Sequence, residues 1–354
     1  MKAKAIQYSM LVLVPVSLWL GFAHASPTAV FVTSCLAILP LAGLMGEATE
    51  HLAHRAGPGL GGLLNATFGN AAELIIGFMA LRAGETEIVK ASLTGSIIGN
   101  MLMVLGLAML LGGWRHKELR FNRMAAETGS GMMLLAVVAL VIPAIYAMVT
   151  HHREPAHIES ISLDISSILI LTYVASLVFQ FRTHERFFAP EGGPGGEVAA
   201  GRPWSVARSS LVLVVAALLT GLVSEVLVHA VDAAGRALGL GKIFMGVVVV
   251  AVVGNAAEHS TAVLVAMKDK MDLAFGIAMG SSMQIALFVA PVLVIAGHAI
   301  GRPLGLEFTF LEVAAVMLSV LAVGQLVADG RTNWFEGFQL LAVYAILAVA
   351  FFYV

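Results

Sequence analysis

Apolar residues run in windows of eighteen or more without a strong charge, and such windows recur along the whole chain. A hydrocarbon core about 30 Å thick needs about 20 apolar residues of helix to cross it. Each window therefore predicts a membrane span. The pattern predicts about eleven, at 6–24, 27–46, 61–82, 88–112, 126–149, 162–181, 205–231, 241–267, 271–298, 306–328 and 334–354. A transmembrane barrel would show short alternating segments instead. The expected fold is an all-α polytopic membrane protein. Its connections are short, except for 182–204, which contains EGGPGGEVAAGRP and reads as a flexible Gly/Pro-rich linker. The linker divides an N-terminal extra helix (1–26) and a first five-span half (27–181) from a second five-span half (205–354).

The polar residues inside these windows repeat. GNAAE occupies 69–73 and again 254–258. With one constant offset, Glu73 meets Glu258, Gly95 meets Gly280 and Ser96 meets Ser281. The preceding spans match as well: Gly46, Thr49, Glu50 and His54 correspond to Gly221, Ser224, Glu225 and His229. The third and eighth spans run in opposite directions under an eleven-span layout, so the two halves are inverted. Inverted repeats with interrupted helices point to a secondary transporter with its site near the bilayer midplane.

Charge sets the orientation. With the N-terminus in the cytoplasm, the loops carry fourteen basic residues inside against six outside, which favours N-terminus in and C-terminus out. Lys2, Lys4 and Ala23-His24-Ala25 around an apolar run resemble a signal peptide. The run is long enough to span, and a retained first helix is expected. Hydrophobic residues make up 59% of the chain and charged ones 12%, far below the quarter usual in globular domains. No basic cluster suggests nucleic acid. Cys35, the single cysteine, cannot form an internal disulfide and reads as an apolar filler. The expected setting is an integral membrane protein of bacterial cytoplasmic type in a lipid bilayer. A homo-oligomer is left open.

The repeated motif carries the candidate chemistry. A carboxylate at mid-bilayer is costly, by about 2.5–3.5 kcal/mol on insertion scales, and two matched ones imply function. Glycine before asparagine permits a break in the helix. Asn70 with Glu73, and Asn255 with Glu258, are spaced i and i+3 and share a face. Two carboxylates, two amides, hydroxyls and freed carbonyls make an oxygen cage suited to a hard cation such as Ca²⁺. Without the ion, two close carboxylates in a low dielectric repel and should take up protons. Ion-for-proton exchange follows from the same two residues. Ser96 and Asn100 on the fourth span, and Ser281, Ser282 and Gln284 on the ninth, are the candidate neighbours; small residues there also allow tight packing. His259 follows the second glutamate where Leu74 follows the first, and could relay protons. Glu50 and Glu225 are candidate pathway or gating carboxylates. Asp164 reads as a helix cap.

Other chemistries fit poorly. Glu50-His51-Leu52-Ala53-His54 is not H-E-x-x-H, because its glutamate precedes the first histidine. No nucleophile elbow and no P-loop pattern is present. No enzyme activity and no cofactor are expected. A cation channel has no need of paired titratable carboxylates in inverted halves.

ATEHLAHRAGPGLGGLLNATFGNAAELI and GNAAEHSTAVLVAMKDKMDLAFGIAMGSSMQIALFVAPVLV resemble the two signatures of the cation/proton exchanger branch of the calcium/cation antiporter superfamily. The resemblance covers nearly the whole chain. It implies a Ca²⁺/H⁺ antiporter without a cofactor, Ca²⁺ being cargo. It implies that Glu73 and Glu258 bind the metal ion and exchange it for protons, with Asn70, Asn255, Ser281, Ser282 and Gln284 as neighbouring ligands. It also implies that spans 2 and 7 slide as gates past a rigid core. The linker holds only Glu185, Glu191 and Glu197 among several arginines, unlike the acidic helix of some members. A sodium-coupled exchanger and a Mn²⁺/H⁺ exchanger on the same scaffold remain the alternatives, since Ca²⁺ and Mn²⁺ both accept oxygen ligands.

Overall fold

A computed structural model describes residues 2–56, 58–151, 155–184 and 204–354. Nearly all of them are helical. In chain order the helices are α1 (Lys2–Met10), α2 (Leu13–Phe22), α3 (Pro27–Ala56), α4 (Pro58–Phe68), α5 (Ala71–Ala83), α6 (Thr86–Ile98), α7 (Leu105–His116), α8 (Arg123–Val149) and α9 (Pro155–Val178). The second half contains α10 (Val206–Leu238), α11 (Lys242–Phe244), α12 (Ala251–Gly254), α13 (Ala256–Ala266), α14 (Met271–Gln284), α15 (Ala290–Ala299), α16 (Phe310–Leu326) and α17 (Trp334–Phe352). The linker lies mostly outside the described residues.

Seven helices among the described residues are long and apolar enough to cross a bilayer, and the bent pair Lys242–Gly254 with Ala256–Ala266 makes eight. The expected first, third and tenth spans consist of shorter helices, so length and composition alone do not bring the count to eleven. Lipid-facing side chains are apolar and exposed, among them Ile142, Ile145 and Val149 on α8, Leu171 on α9, Leu211 and Leu218 on α10 and Ile346 on α17. Exposed apolar stripes of this extent suit lipid.

The connections segregate to two faces. On one, β1 (Leu119–Arg120) pairs antiparallel with β2 (Arg331–Thr332), bringing Arg120 opposite Arg331. His116 reaches the Met267 carbonyl on that same face. On the other, Lys242 meets Glu85, Glu87 and Asp232, and His298 meets Glu159 at 2.6 Å. Asp164 departs from expectation: α9 starts at Pro155, which puts Asp164 in the helix interior rather than at a cap.

Between the halves, α6 packs against a π-helical segment, Met245–Val250. The approach is close enough to need glycine. A Cβ on Gly95 would lie 2.0 Å from the Val247 carbonyl oxygen, and one on Gly246 would lie 2.5 Å from Ala91 Cβ. Small residues let these backbones touch. Two further π segments, Gly99–Val104 after α6 and Ile285–Val289 after α14, fall at matching places in the two halves. π segments of this kind cluster at functional sites.

Candidate functional site

Both GNAAE motifs break their helices where the sequence suggests. α4 ends at Phe68 and α5 starts at Ala71, with Asn70 capping at φ −99° and ψ 25°. α12 ends at Gly254 and α13 starts at Ala256, with Asn255 capping at φ −93° and ψ 5°. The axis turns by 62° at the second break. Neither asparagine side chain caps its own helix, so both amides are released for other partners. Glu73 and Glu258 then fall in the first turns of α5 and α13. A helix N-terminus favours negative charge, so each break supplies a place where a buried carboxylate is tolerable.

The amides cross between halves. Asn70 Nδ2 donates to Gln284 Oε1 on α14. Asn255 Nδ2 donates to Ser96 Oγ on α6 at 2.8 Å and to the Ala251 carbonyl at 2.9 Å. Asn100 Nδ2 donates to Asn255 Oδ1 at 3.2 Å. The Ala251 carbonyl can only accept, which orients the Asn255 amide and in turn the Asn100 amide. Each broken helix is thus held by the serine-bearing helix of the opposite half. Ser282 Oγ instead donates to the Ala278 carbonyl at 3.0 Å and is fully buried, so it packs rather than faces the cavity.

A cavity of about 960 Å³ reaches this centre along α3. Glu73, Glu258, Ser281 and Gln284 line its inner end, and Glu47, Glu50 and His51 on α3 line its outer part. The two central glutamates lie near enough for their charges to interact, and Ser281 is within hydrogen-bonding reach of Glu258. A Cβ on Gly254 would sit 3.5 Å from Glu73 Oε1, an ordinary contact distance, so the second broken helix abuts the opposite half's carboxylate. Glu73 Oε2 and Glu258 Oε2, on the cavity wall, are buried acceptors without a partner, as are Asn70 Oδ1 and Asn100 Oδ1 on the asparagines that join the halves. No lysine or arginine lines the cavity among the described residues. Two carboxylates without a basic neighbour require another source of positive charge. Among the described residues no group of three or more His, Cys, Asp or Glu forms a metal cage, so a cation held here would rely on two carboxylates and neutral oxygens.

The remaining candidates separate. Glu50 lines the cavity, whereas Glu225 does not; it lies 3.6 Å from Arg82 at the end of α5, on the closed side. His259 stays half-buried behind Glu258, with Nε2 unpartnered. Glu47, a weaker pathway candidate than Glu50 from the sequence, belongs to the cavity wall together with His51, Gln7 of α1 and Asn65 of α4. The i, i+3 and i+4 spacing of Glu47, Glu50 and His51 was the available signal. Tyr8 of α1 points its hydroxyl at Glu47, 3.5 Å away.

Helices broken at matched asparagines, meeting at a cavity between two halves, define the architecture of an alternating-access membrane transporter. The sodium/calcium exchanger protein family matches residues 26–182 and 208–353, one stretch on each side of the linker. The chain belongs to that family. It is 46% identical over 97% of its length to a Ca²⁺/H⁺ antiporter of Synechocystis sp., covering 96% of that protein. It is 43% identical to the Ca²⁺/H⁺ antiporter ChaA of Bacillus subtilis, over 96% of each chain. Among solved structures, that of native YfkE superposes with a TM-score of 0.85 at 40% identity, covering 99% of this chain and 100% of that one.

Proposed function

We propose that the protein is a secondary antiporter that exports Ca²⁺ from the cytoplasm in exchange for H⁺. The observation that carries this reading is the pair Glu73 and Glu258: two carboxylates in matched broken helices, facing one cavity that no lysine or arginine lines among the described residues. Such a pair is neutralised either by one divalent cation or by protons. Relatives bearing the name Ca²⁺/H⁺ antiporter support the choice of ions.

In this mechanism the open side faces the cytoplasm, with the N-terminus inside and the C-terminus outside. Ca²⁺ enters past Glu50 and displaces protons from Glu73 and Glu258. Ser281, Gln284 and the Asn70 and Asn255 carbonyl oxygens complete its oxygen shell, while Ser96, Asn100 and Ser282 hold the helices that present them. The neutralised site rearranges to open on the other face. There protons displace the ion, and the protonated pair returns. A doubly charged empty site does not cross, because its desolvated carboxylates repel. Coupling is the consequence.

Proton release on binding tests this directly. Purified protein in weak buffer should release protons when Ca²⁺ is added, and Glu73→Gln with Glu258→Gln together should abolish the release. Undiminished release from the double variant would place the exchanging protons elsewhere.

A further inference from the structure

The two faces of the molecule are chemically matched but structurally different. By the inverted repeat, α3 corresponds to α10 and α5 to α13. On the closed side α10 packs along α5, and Arg82 of α5 meets Glu225 of α10 at 3.6 Å. On the open side α3 only touches α13, and the counterpart of Glu225, Glu50, lines the cavity. The counterpart of Arg82 is Met267, and the next residue is Lys268, exposed at the foot of α13. The turns that follow α5 and α13 correspond as well. Gly84 has φ +85° and its counterpart Asp269 has φ +63°, and the matched bonds Glu85 N–H to the Ala80 carbonyl and Lys270 N–H to the Val265 carbonyl close both turns the same way. The basic residue therefore stands at equivalent heights, about nine or ten residues beyond its glutamate, or about 14–15 Å along the helix.

We propose that Glu50 and Lys268 form the ion pair that closes the cavity in the opposite state of the transport cycle, replacing Arg82–Glu225. α3 and α10 pack against each other along their length, so they move as one body between α5 and α13. When that body shifts toward α13, Glu50 gains Lys268 and Glu225 loses Arg82. Both pairs are made by exposed side chains, so neither holds its state deeply. Exposed pairs contribute about 0.2–1 kcal/mol, which biases the equilibrium about 1.4- to 5-fold without trapping either state.

This pairing rests on the antiporter reading, and cross-linking separates the two. In a Cys35→Ala background, Glu50→Cys with Lys268→Cys and, separately, Arg82→Cys with Glu225→Cys are reconstituted in liposomes. Each is treated with a short reducible bis-thiosulfonate during Ca²⁺/H⁺ exchange. Both pairs should cross-link, each link should slow exchange at least tenfold, and reductant should restore it. If 82–225 links while 50–268 does not, and exchange continues, the proposed pair is wrong and the antiporter reading stands. If the Cys35→Ala parent carries no proton-coupled Ca²⁺ flux, the antiporter reading fails and the pair fails with it. Glu50→Gln and Lys268→Gln give a second measurement: the double variant should change the exchange rate no more than the larger single effect, and additive losses would contradict contact between them.

Discussion

Replacing Glu258 with glutamine removes one of the two charges at the centre while keeping shape and hydrogen-bonding capacity. Two effects of opposite sign follow. Bound Ca²⁺ loses one of the two carboxylates at the centre, in a cavity whose other carboxylates, Glu47 and Glu50, sit on α3. Truncating one partner of a desolvated charge pair costs about 2–5 kcal/mol, so the Ca²⁺ dissociation constant should rise by about 30-fold to several thousandfold. The ion-free protein should become more stable, because the remaining carboxylate of Glu73 no longer faces a like charge. Thermal unfolding with and without Ca²⁺ reads both effects. A ligand present at about 100 times its dissociation constant stabilises wild type by about 2.7 kcal/mol. The variant at the same Ca²⁺ should show at most about a third of that shift, starting from a higher ion-free midpoint. The gain in ion-free stability should shrink as pH falls, since protonation neutralises the wild-type pair and leaves glutamine no advantage. A variant that keeps the full Ca²⁺-dependent shift would refute the two-carboxylate site.

Further outcomes follow from the surrounding residues. Asn255→Ala leaves Ser96 and Asn100 without their central partner, so chemical unfolding should show a loss of about 1–3 kcal/mol, and Ca²⁺ affinity should fall with it. Ser281→Ala removes a neutral contact to Glu258 and a cavity-lining oxygen; transport assays should show a raised KM for Ca²⁺ with little loss of stability. Gly95→Ala places a methyl 2.0 Å from the Val247 carbonyl oxygen, and size-exclusion profiles should show poorly folded protein even though the residue touches no ion. Arg82→Gln breaks only an exposed pair, so the folded yield should be unchanged while exchange rates shift by no more than about fivefold.

Much of this arrangement was legible in the chain because membrane constraints are strong. A span has to be apolar, so Glu73 and Glu258 stood out against their surroundings. Gly-Asn before each glutamate forecast both helix breaks, and the constant offset paired Ser96 with Ser281. Other features left no mark that periodicity can read. The π segments Gly99–Val104 and Ile285–Val289 have the composition of ordinary apolar helix. The direction of the asparagine amides depends on acceptors distant in sequence, such as Ala251 for Asn255 and Gln284 for Asn70. The separation of Glu50 from Glu225 is a property of conformation: matched residues occupy unlike surroundings, Glu50 on the cavity wall and Glu225 beside Arg82. Asp164 misled because the start of α9 was placed too late, at the end of a polar stretch that is itself helical.

The central claim is coupling between Ca²⁺ and H⁺ at one site. The most direct measurement is simultaneous flux in proteoliposomes containing purified protein, with an imposed pH gradient and no sodium, followed by a calcium dye and a pH dye. The account predicts opposite Ca²⁺ and H⁺ fluxes that rise and fall together and vanish with an uncoupler. Calcium flux indifferent to the pH gradient, whether restored by sodium or needing no second ion, would contradict it.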